Sequence, residues 1–410
     1  MTSALSKNTV KEHSFMKLMS SSITLVAPLV ATLAIAACNA GGSPNVPEKV
    51  GQPPLERSAD AAVAAQFAYV ANYGSNNVSA YTINASTGAL TQVTGSPFGA
   101  GTQAYDVAID PNGKFVYVTN YGSNNVSAYT VNATSGALTQ VAGSPFSAGT
   151  QSLGIAVDPT GKFLYVTNYG SKNVSAYTID SSSGALTPVT GSPFKAGTKP
   201  YAVAVDPNGK YAYVANLNSG DISAYKIAAN GALKKVKGSP FGTGTLPVSM
   251  TVDPTGKFAY VAANGSDVYA YTISESSGAL TPMTGSPFTD PGIGAQDVII
   301  PPTGGFAYVP NSTSNNVAAY SIAASSGALT PVAGSPFADP GSAPQTGAVD
   351  TKSKFAYVTN AGSSTITAYT IDAGSGALTP VTGSPFAAGS IPVGMATCRV
   401  NASKCIPPQL

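Results

Sequence analysis

The chain has 410 residues, 43% of them hydrophobic and only 9% charged, with 43 glycines, 31 prolines, 21 tyrosines, three cysteines, one histidine and no tryptophan. So few charges beside so much Gly, Ser, Thr, Asn and Tyr suit many short strands and turns, and leave little material for amphipathic helices. Lys7, Lys11, Lys17 and Glu12 belong to an N-terminal leader, so the 20 basic and 18 acidic side chains are reduced to 17 of each in the remainder, a neutral body with no basic stripe to hold nucleic acid.

Within the leader, Lys17 precedes the apolar run Ile23 to Ala37, which is too short to span a bilayer comfortably and has the layout of an export signal, with Met16 as an alternative start. The run ends in Ile35-Ala36-Ala37-Cys38, which resembles the lipobox of bacterial lipoproteins. That resemblance implies removal of residues 1–37 as a signal peptide and acylation of Cys38, whose acyl chains then hold the protein on a membrane. A plain secretory signal with an incidental cysteine is the alternative. Asn39 stands where an aspartate would favour inner-membrane retention, so the expected address is the cell envelope, at the outer membrane or surface of a Gram-negative source. Residues 38–66, rich in Gly, Pro, Ala and Ser without period, read as a flexible tether.

From there a unit repeats to the end of the chain. Its tyrosine recurs at Tyr69, Tyr117, Tyr165, Tyr213, Tyr260, Tyr308 and Tyr357, in steps of 47 to 49 residues. Each period carries four strand signals. In the second unit these are Tyr105 to Asp110, Phe115 to Asn120, Asn125 to Val131 and Leu138 to Ala142. Asp110-Pro111-Asn112-Gly113 makes the first turn: Asp bonds the backbone, Pro presets φ and Gly accepts a positive φ. The inner strands are apolar on both faces, as when each sheet lies between two others, and a four-stranded sheet repeated radially is a propeller blade. The predicted fold is therefore an all-β, seven-bladed β-propeller over residues 67–398, with 399–410 as a tail. Pro188, Pro282, Pro331, Pro380 and Lys235 in the fourth strand mark an exposed edge. The Gly-Ser-Pro-Phe that follows in every unit reads as an inter-blade packing plug, with a functional aromatic ring as the alternative.

The first unit begins at its second strand, Phe67, while Ile391 to Cys398 matches a first strand, so the C-terminal segment is expected to complete the first blade. Cys398 and Cys405, separated by six residues in an exported protein, read as a disulfide locking that seam.

The motif Tyr117-Val118-Thr119-Asn120, repeated at Tyr165 to Asn168 and Tyr357 to Asn360, resembles the YVTN family of β-propeller repeats. That family overlaps the lactonase-like seven-bladed propellers, which include 6-phosphogluconolactonase and muconate cycloisomerase relatives. The resemblance implies enzymes that use His, Glu and Arg on anionic substrates. This chain departs from that pattern: its one histidine is His13 in the leader, its arginines beyond the leader are Arg57 and Arg399, and Glu275 falls in an outer turn. A His triad and a zinc site are thereby excluded, a phosphorylated sugar has only Lys199 as a nearby cation, and no cofactor is expected.

Where the copies differ, chemistry has room. The column at the start of the first strands reads Asp106, Gly154, Ala202, Ser249, Asp297, Thr346 and Gly394, with two carboxylates from blades three or four steps apart. They form either a general acid/base pair or a polar rim bonded to loop amides. Tyr73, Tyr105, Tyr121, Tyr169 and Tyr201, with Lys199, are the candidate ligand contacts of the same mouth, for a glycan, peptide or envelope protein. Lys226, Lys234, Lys235 and Lys237 form a basic cluster on the outer strands of blade 4, a solvated edge or a site for an acidic partner. Two principal readings follow: a lipid-anchored, monomeric binding or scaffold protein, and a divergent lactonase-like hydrolase using Asp106 and Asp297. A surface-layer or adhesion role is the third.

Overall fold

A computed structural model describes residues 65–244, 246–401 and 404–406. Seven antiparallel sheets follow one another along the chain, and no helix occurs among the described residues. In blade 2 the order from the channel outward is Ala104–Ile109, Phe115–Asn120, Asn125–Val131 and Leu138–Gln140. The turn after the first strand forms as its residues demand: Asp110 Oδ1 accepts the N–H groups of Lys114 (2.6 Å) and Phe115 (2.7 Å), and Gly113 takes φ +64°.

The second strand is buried along its whole length because it faces two neighbours. Val116 and Val118 join a cluster with Phe67 and Tyr69 of blade 1. Phe115 and Tyr117, pointing the other way, join Leu164, Val166 and Tyr177 of blade 3. Each such side chain stabilises the packed ring by about 1.5–3 kcal/mol relative to exposure.

The tyrosine of the repeat also stitches blade to blade. Tyr117 Oη donates to the carbonyl of Gly184 in blade 3 (3.1 Å), and Tyr69, Tyr165, Tyr213, Tyr260 and Tyr308 do the same one blade on. Tyr357 of blade 7 donates to Gly88 of blade 1 (3.1 Å), which closes the ring. The glycine is required at that spot: Gly136 has φ +75°, and a Cβ on it would come within 2.5 Å of the Phe67 ring.

Two details differ from the sequence reading. The fourth strands are only three residues long and end at the proline or its equivalent, with their last two residues exposed. After Gly-Ser-Pro the chain pairs again with the third strand, Val126 opposite Phe146, as a two-residue segment present in every blade. The motif is a brace more than a plug. Ser144 Oγ accepts the N–H of Ala128 (2.9 Å) while the Phe146 ring packs against the cluster between blades 2 and 3.

Gln66–Asn72 pairs with Pro392–Asn401, placing Phe67 opposite Cys398 and Tyr69 opposite Ala396, so the two ends of the propeller share one sheet. That last strand continues past the expected boundary at 398 and pairs antiparallel with Lys404–Ile406, with Val400 opposite Cys405. Cys398 is fully buried at the seam; the side chain of Cys405 lies outside the described residues. Cys38, the leader and the tether up to residue 64 also lie outside them, whereas Gln66, counted with the tether in the sequence, belongs to the first strand opposite Arg399.

Candidate functional site

All seven residues of the first-strand column, from Asp106 to Gly394, line one cavity of about 150 Å³ at the mouth of the channel. They reach it because the first strands are irregular where they begin. In blade 2 the register slips between Ala104 and Val107, so Asp106 sits in a bulge, and Tyr201 occupies the slip between Pro200 and Ala202 in blade 4. In blade 6 only isolated bridges at Ala295 and Ile299 flank Asp297. A bulge frees a residue from the ladder and re-aims its side chain, here toward the channel. Thr119 of the repeat motif holds the bulge open: its Oγ1 accepts the Asp106 N–H (3.1 Å) and donates to the carbonyl of Leu153 in the next blade (2.5 Å).

Both carboxylates are held by backbone donors. Asp106 Oδ1 accepts the N–H of Val107 (2.8 Å) and Oδ2 that of Ile155 in blade 3 (3.2 Å). Asp297 Oδ1 accepts the N–H of Val298 (2.8 Å), and its carboxyl also takes that of Gly347 in blade 7. These bonds engage about half of the lone pairs each carboxylate offers and leave the rest for the cavity. Protein surrounds both groups except on the cavity side, and this burial outweighs the bonds: the Asp106 carboxyl is pushed up to about 6 and that of Asp297 to about 7. Asp297 is raised further by the charge of Asp106 across the mouth, because the group that ionises second meets the charge of the first. Gly394 gives Asp106 its space; a Cβ there would lie 2.6 Å from Oδ1.

The tyrosines form one connected cluster on the side of blades 1 to 4. Tyr105 meets Tyr73 edge-on with centroids 6.2 Å apart, and meets Tyr201 likewise at 6.1 Å. Tyr121 lies 6.2 Å from Tyr73 and 6.3 Å from Tyr169, which meets Tyr201 at 6.4 Å. The hydroxyls of Tyr105 and Tyr201 are bonded to each other. Tyr105 and Tyr201 line the cavity; Tyr73, Tyr121 and Tyr169 pack behind them from the loops after the second strands. Lys199 holds its ammonium 4.9 Å from the centre of the Tyr169 ring and takes a positive φ of 56° at the start of its blade. It does not line the cavity, whose only charged lining residues are the two aspartates.

Gln296 and Gln345 complete the opposite wall and escaped notice in the sequence. Both are buried, with Gln296 Nε2 donating to Gly294 O (3.0 Å) and Ser312 Oγ (2.9 Å), and Gln345 Nε2 to Ala343 O (3.2 Å). They stand in the same repeat column as Tyr105 and Tyr201, so comparing that column, one residue before the aspartates, would have found them. The Lys226, Lys234, Lys235 and Lys237 cluster lies exposed on the outer edge of blade 4, where Lys226 faces Lys234 across the strand pair, away from this site.

The model of the lactonase family, described as lactonase, 7-bladed beta-propeller, matches residues 57–197 and 154–395, nearly the whole repeat region. The chain belongs to the lactonase family of seven-bladed β-propellers. Among solved structures, this lactonase-family propeller is similar to a candidate 6-phosphogluconolactonase from Bacteroides fragilis, with TM-score 0.72 and 20% identity over 82% of this chain and 98% of the other. It is also similar to the periplasmic gluconolactonase of Pseudomonas aeruginosa, with TM-score 0.71 and 18% identity over 82% and 99%. A Lactobacillus plantarum protein aligns at TM-score 0.69 and 19% identity over 81% and 99%. At such identities the likeness is one of fold. No curated protein sequence matches the chain significantly.

Proposed function

We propose that this propeller hydrolyses an uncharged lactone at the channel mouth, with Asp106 and Asp297 as a general base and acid. The carrying observation is the pair of carboxyls, raised by burial to about 6 for Asp106 and about 7 for Asp297, the latter also by the charge of Asp106, in a cavity with no other charged lining residue. Near pH 6.5 the pair holds one carboxylate, chiefly on Asp106, and one carboxyl, chiefly on Asp297. Asp106 takes a proton from water as its oxygen bonds to the lactone carbonyl carbon. The tetrahedral intermediate then collapses, breaking the bond to the ring oxygen, and Asp297 gives that oxygen its proton. The product is a hydroxy acid, and proton exchange with solvent resets the pair. Membership of the lactonase family supports the hydrolase over the scaffold reading. The negative cavity disfavours a phosphorylated substrate, which needs cationic partners.

Hydrolysis of D-glucono-δ-lactone, corrected for the spontaneous reaction, tests this. The expected result is turnover with a narrow bell-shaped pH profile between about 6 and 7, lost in Asp106→Asn and Asp297→Asn. Wild-type rates equal to background across a panel of uncharged lactones would return the protein to the reading of a binding or scaffold module. The envelope address is likewise a proposal, resting on the motif at Cys38.

A further inference from the structure

A lactone hydrolase also needs a donor for the oxygen that becomes negative when water adds, and related chemistry commonly assigns that task to positive or strongly polar groups. No Lys, Arg or His lines this cavity. Its other polar side chains are engaged in part: Thr346 Oγ1 donates to the carbonyl of Val393 (2.7 Å), Gln296 Nε2 donates to Gly294 O and Ser312 Oγ, Gln345 Nε2 gives one N–H to Ala343 O, and Ser249 Oγ accepts the N–H of Ala262 (3.2 Å). This leaves the Ser249 hydroxyl proton and one Gln345 N–H as further donors. The bonded pair Tyr105 and Tyr201 is the donor braced by neighbouring aromatic rings. Two hydroxyls carry two protons; their mutual bond uses one, and the other has no protein acceptor among the described residues.

We infer that the Tyr105–Tyr201 hydroxyl pair is the uncharged donor that polarises the lactone carbonyl and stabilises its oxyanion. The inference rests on the proposed hydrolysis but concerns different residues. Three features support it. Both side chains line the same cavity as the two aspartates. The rings of Tyr73, Tyr121 and Tyr169, packed against them at 6.2 to 6.4 Å, hold them in place before any ligand arrives, so little reorganisation accompanies reaction. Burial keeps both phenols neutral, so the donor persists across the pH range in which the carboxyls titrate. Within the repeat the same column holds Leu153, Val248 and Val393 in other blades, so neither tyrosine is required to form a blade.

The test compares wild type with Tyr105→Phe, Tyr201→Phe and the double variant, which retain the rings and delete the hydroxyls. Each single variant leaves one hydroxyl and is expected to lose about tenfold in kcat, and the double variant on the order of 10²–10³-fold, with KM nearly unchanged and the bell-shaped pH profile in place. Calorimetry with glucono-δ-lactam, an uncharged carbonyl analogue that resists hydrolysis, should show roughly tenfold weaker binding by the double variant. If the Phe pair folds poorly, the same measurements on Tyr105→Leu plus Tyr201→Leu replace it, since leucine already occupies this column at Leu153. Wild-type kcat and lactam affinity in the double variant overturn the inference while leaving the carboxylate mechanism standing. Hydroxyl-dependent lactam binding without turnover overturns the hydrolase and retains the donor, and neither binding nor turnover in wild type overturns both.

Discussion

Replacing Asp297 by Asn removes a group whose ionisation the folded protein resists, and the cost can be worked from its environment. Its carboxyl moves from 3.8 to about 7 on folding, chiefly by burial and then by the charge of Asp106. At about 1.36 kcal/mol per pKa unit, ionising it in the folded state costs on the order of 4 kcal/mol more than in the unfolded chain. Because the folded pKa is the higher one, the folded state binds more protons between the two values. Stability from this group is therefore intact below about pH 4 and is lost as pH rises through about 7. With an unfolding entropy of about 2.1 cal/mol/K per residue, each kcal/mol moves the melting temperature of a propeller of this size by about 1.4 °C, so Asp297 alone lowers Tm by roughly 6 °C between pH 4 and pH 8. The uncharged amide in the variant keeps an oxygen for the Val298 N–H and does not ionise. Thermal melts of wild type and Asp297→Asn every half pH unit should start close together at pH 4 and diverge, with the variant several degrees more stable at pH 8 and at least 10²-fold slower on lactone. Parallel Tm curves from pH 4 to pH 8 would refute the claim that burial resists ionisation of Asp297.

Other outcomes follow from the packing and the ends of the chain. Gly136→Ala adds a Cβ 2.5 Å from the Phe67 ring at φ +75° and should lower stability by more than about 1 kcal/mol, seen as a lower midpoint in urea; an unchanged midpoint would mean the blade 1–2 contact is loose. Tyr117→Phe strips the donor from the Gly184 carbonyl and should cost about 1–3 kcal/mol in the same measurement without altering lactone turnover. A Cys398–Cys405 disulfide predicts no thiol labelling at either position in unfolded, non-reduced protein, and labelling of both after reduction. Cys38→Ser should move the protein from the membrane to the soluble fraction of its native host; retention in the membrane fraction would count against acylation.

How much was legible in the sequence varied with the range of the physics. The seven-fold repeat, the turn at Asp110 to Gly113, the exposed edge prolines and the partnership of Phe67 with the Cys398 segment depend on local turn chemistry and on a pattern repeated every blade, and the structure bears them out. The brace at Phe146 and the short fourth strands were less visible, because a two-residue ladder leaves no periodic trace.

The sequence by itself determined the architecture, since each blade buries its apolar faces only by stacking on another and seven such units close a ring. It also singled out Asp106 and Asp297 as the odd members of their column. Only the tertiary structure decided what surrounds them: a bulge that turns Asp106 into the channel, burial that raises both carboxyls, and a bonded Tyr105–Tyr201 pair backed by three more rings from neighbouring blades. The physical reason is distance along the chain. Asp106 and Asp297 lie 191 residues apart in sequence and Tyr105 and Tyr201 lie 96 apart, so the field and the hydrogen bond between them exist only once the ring has closed.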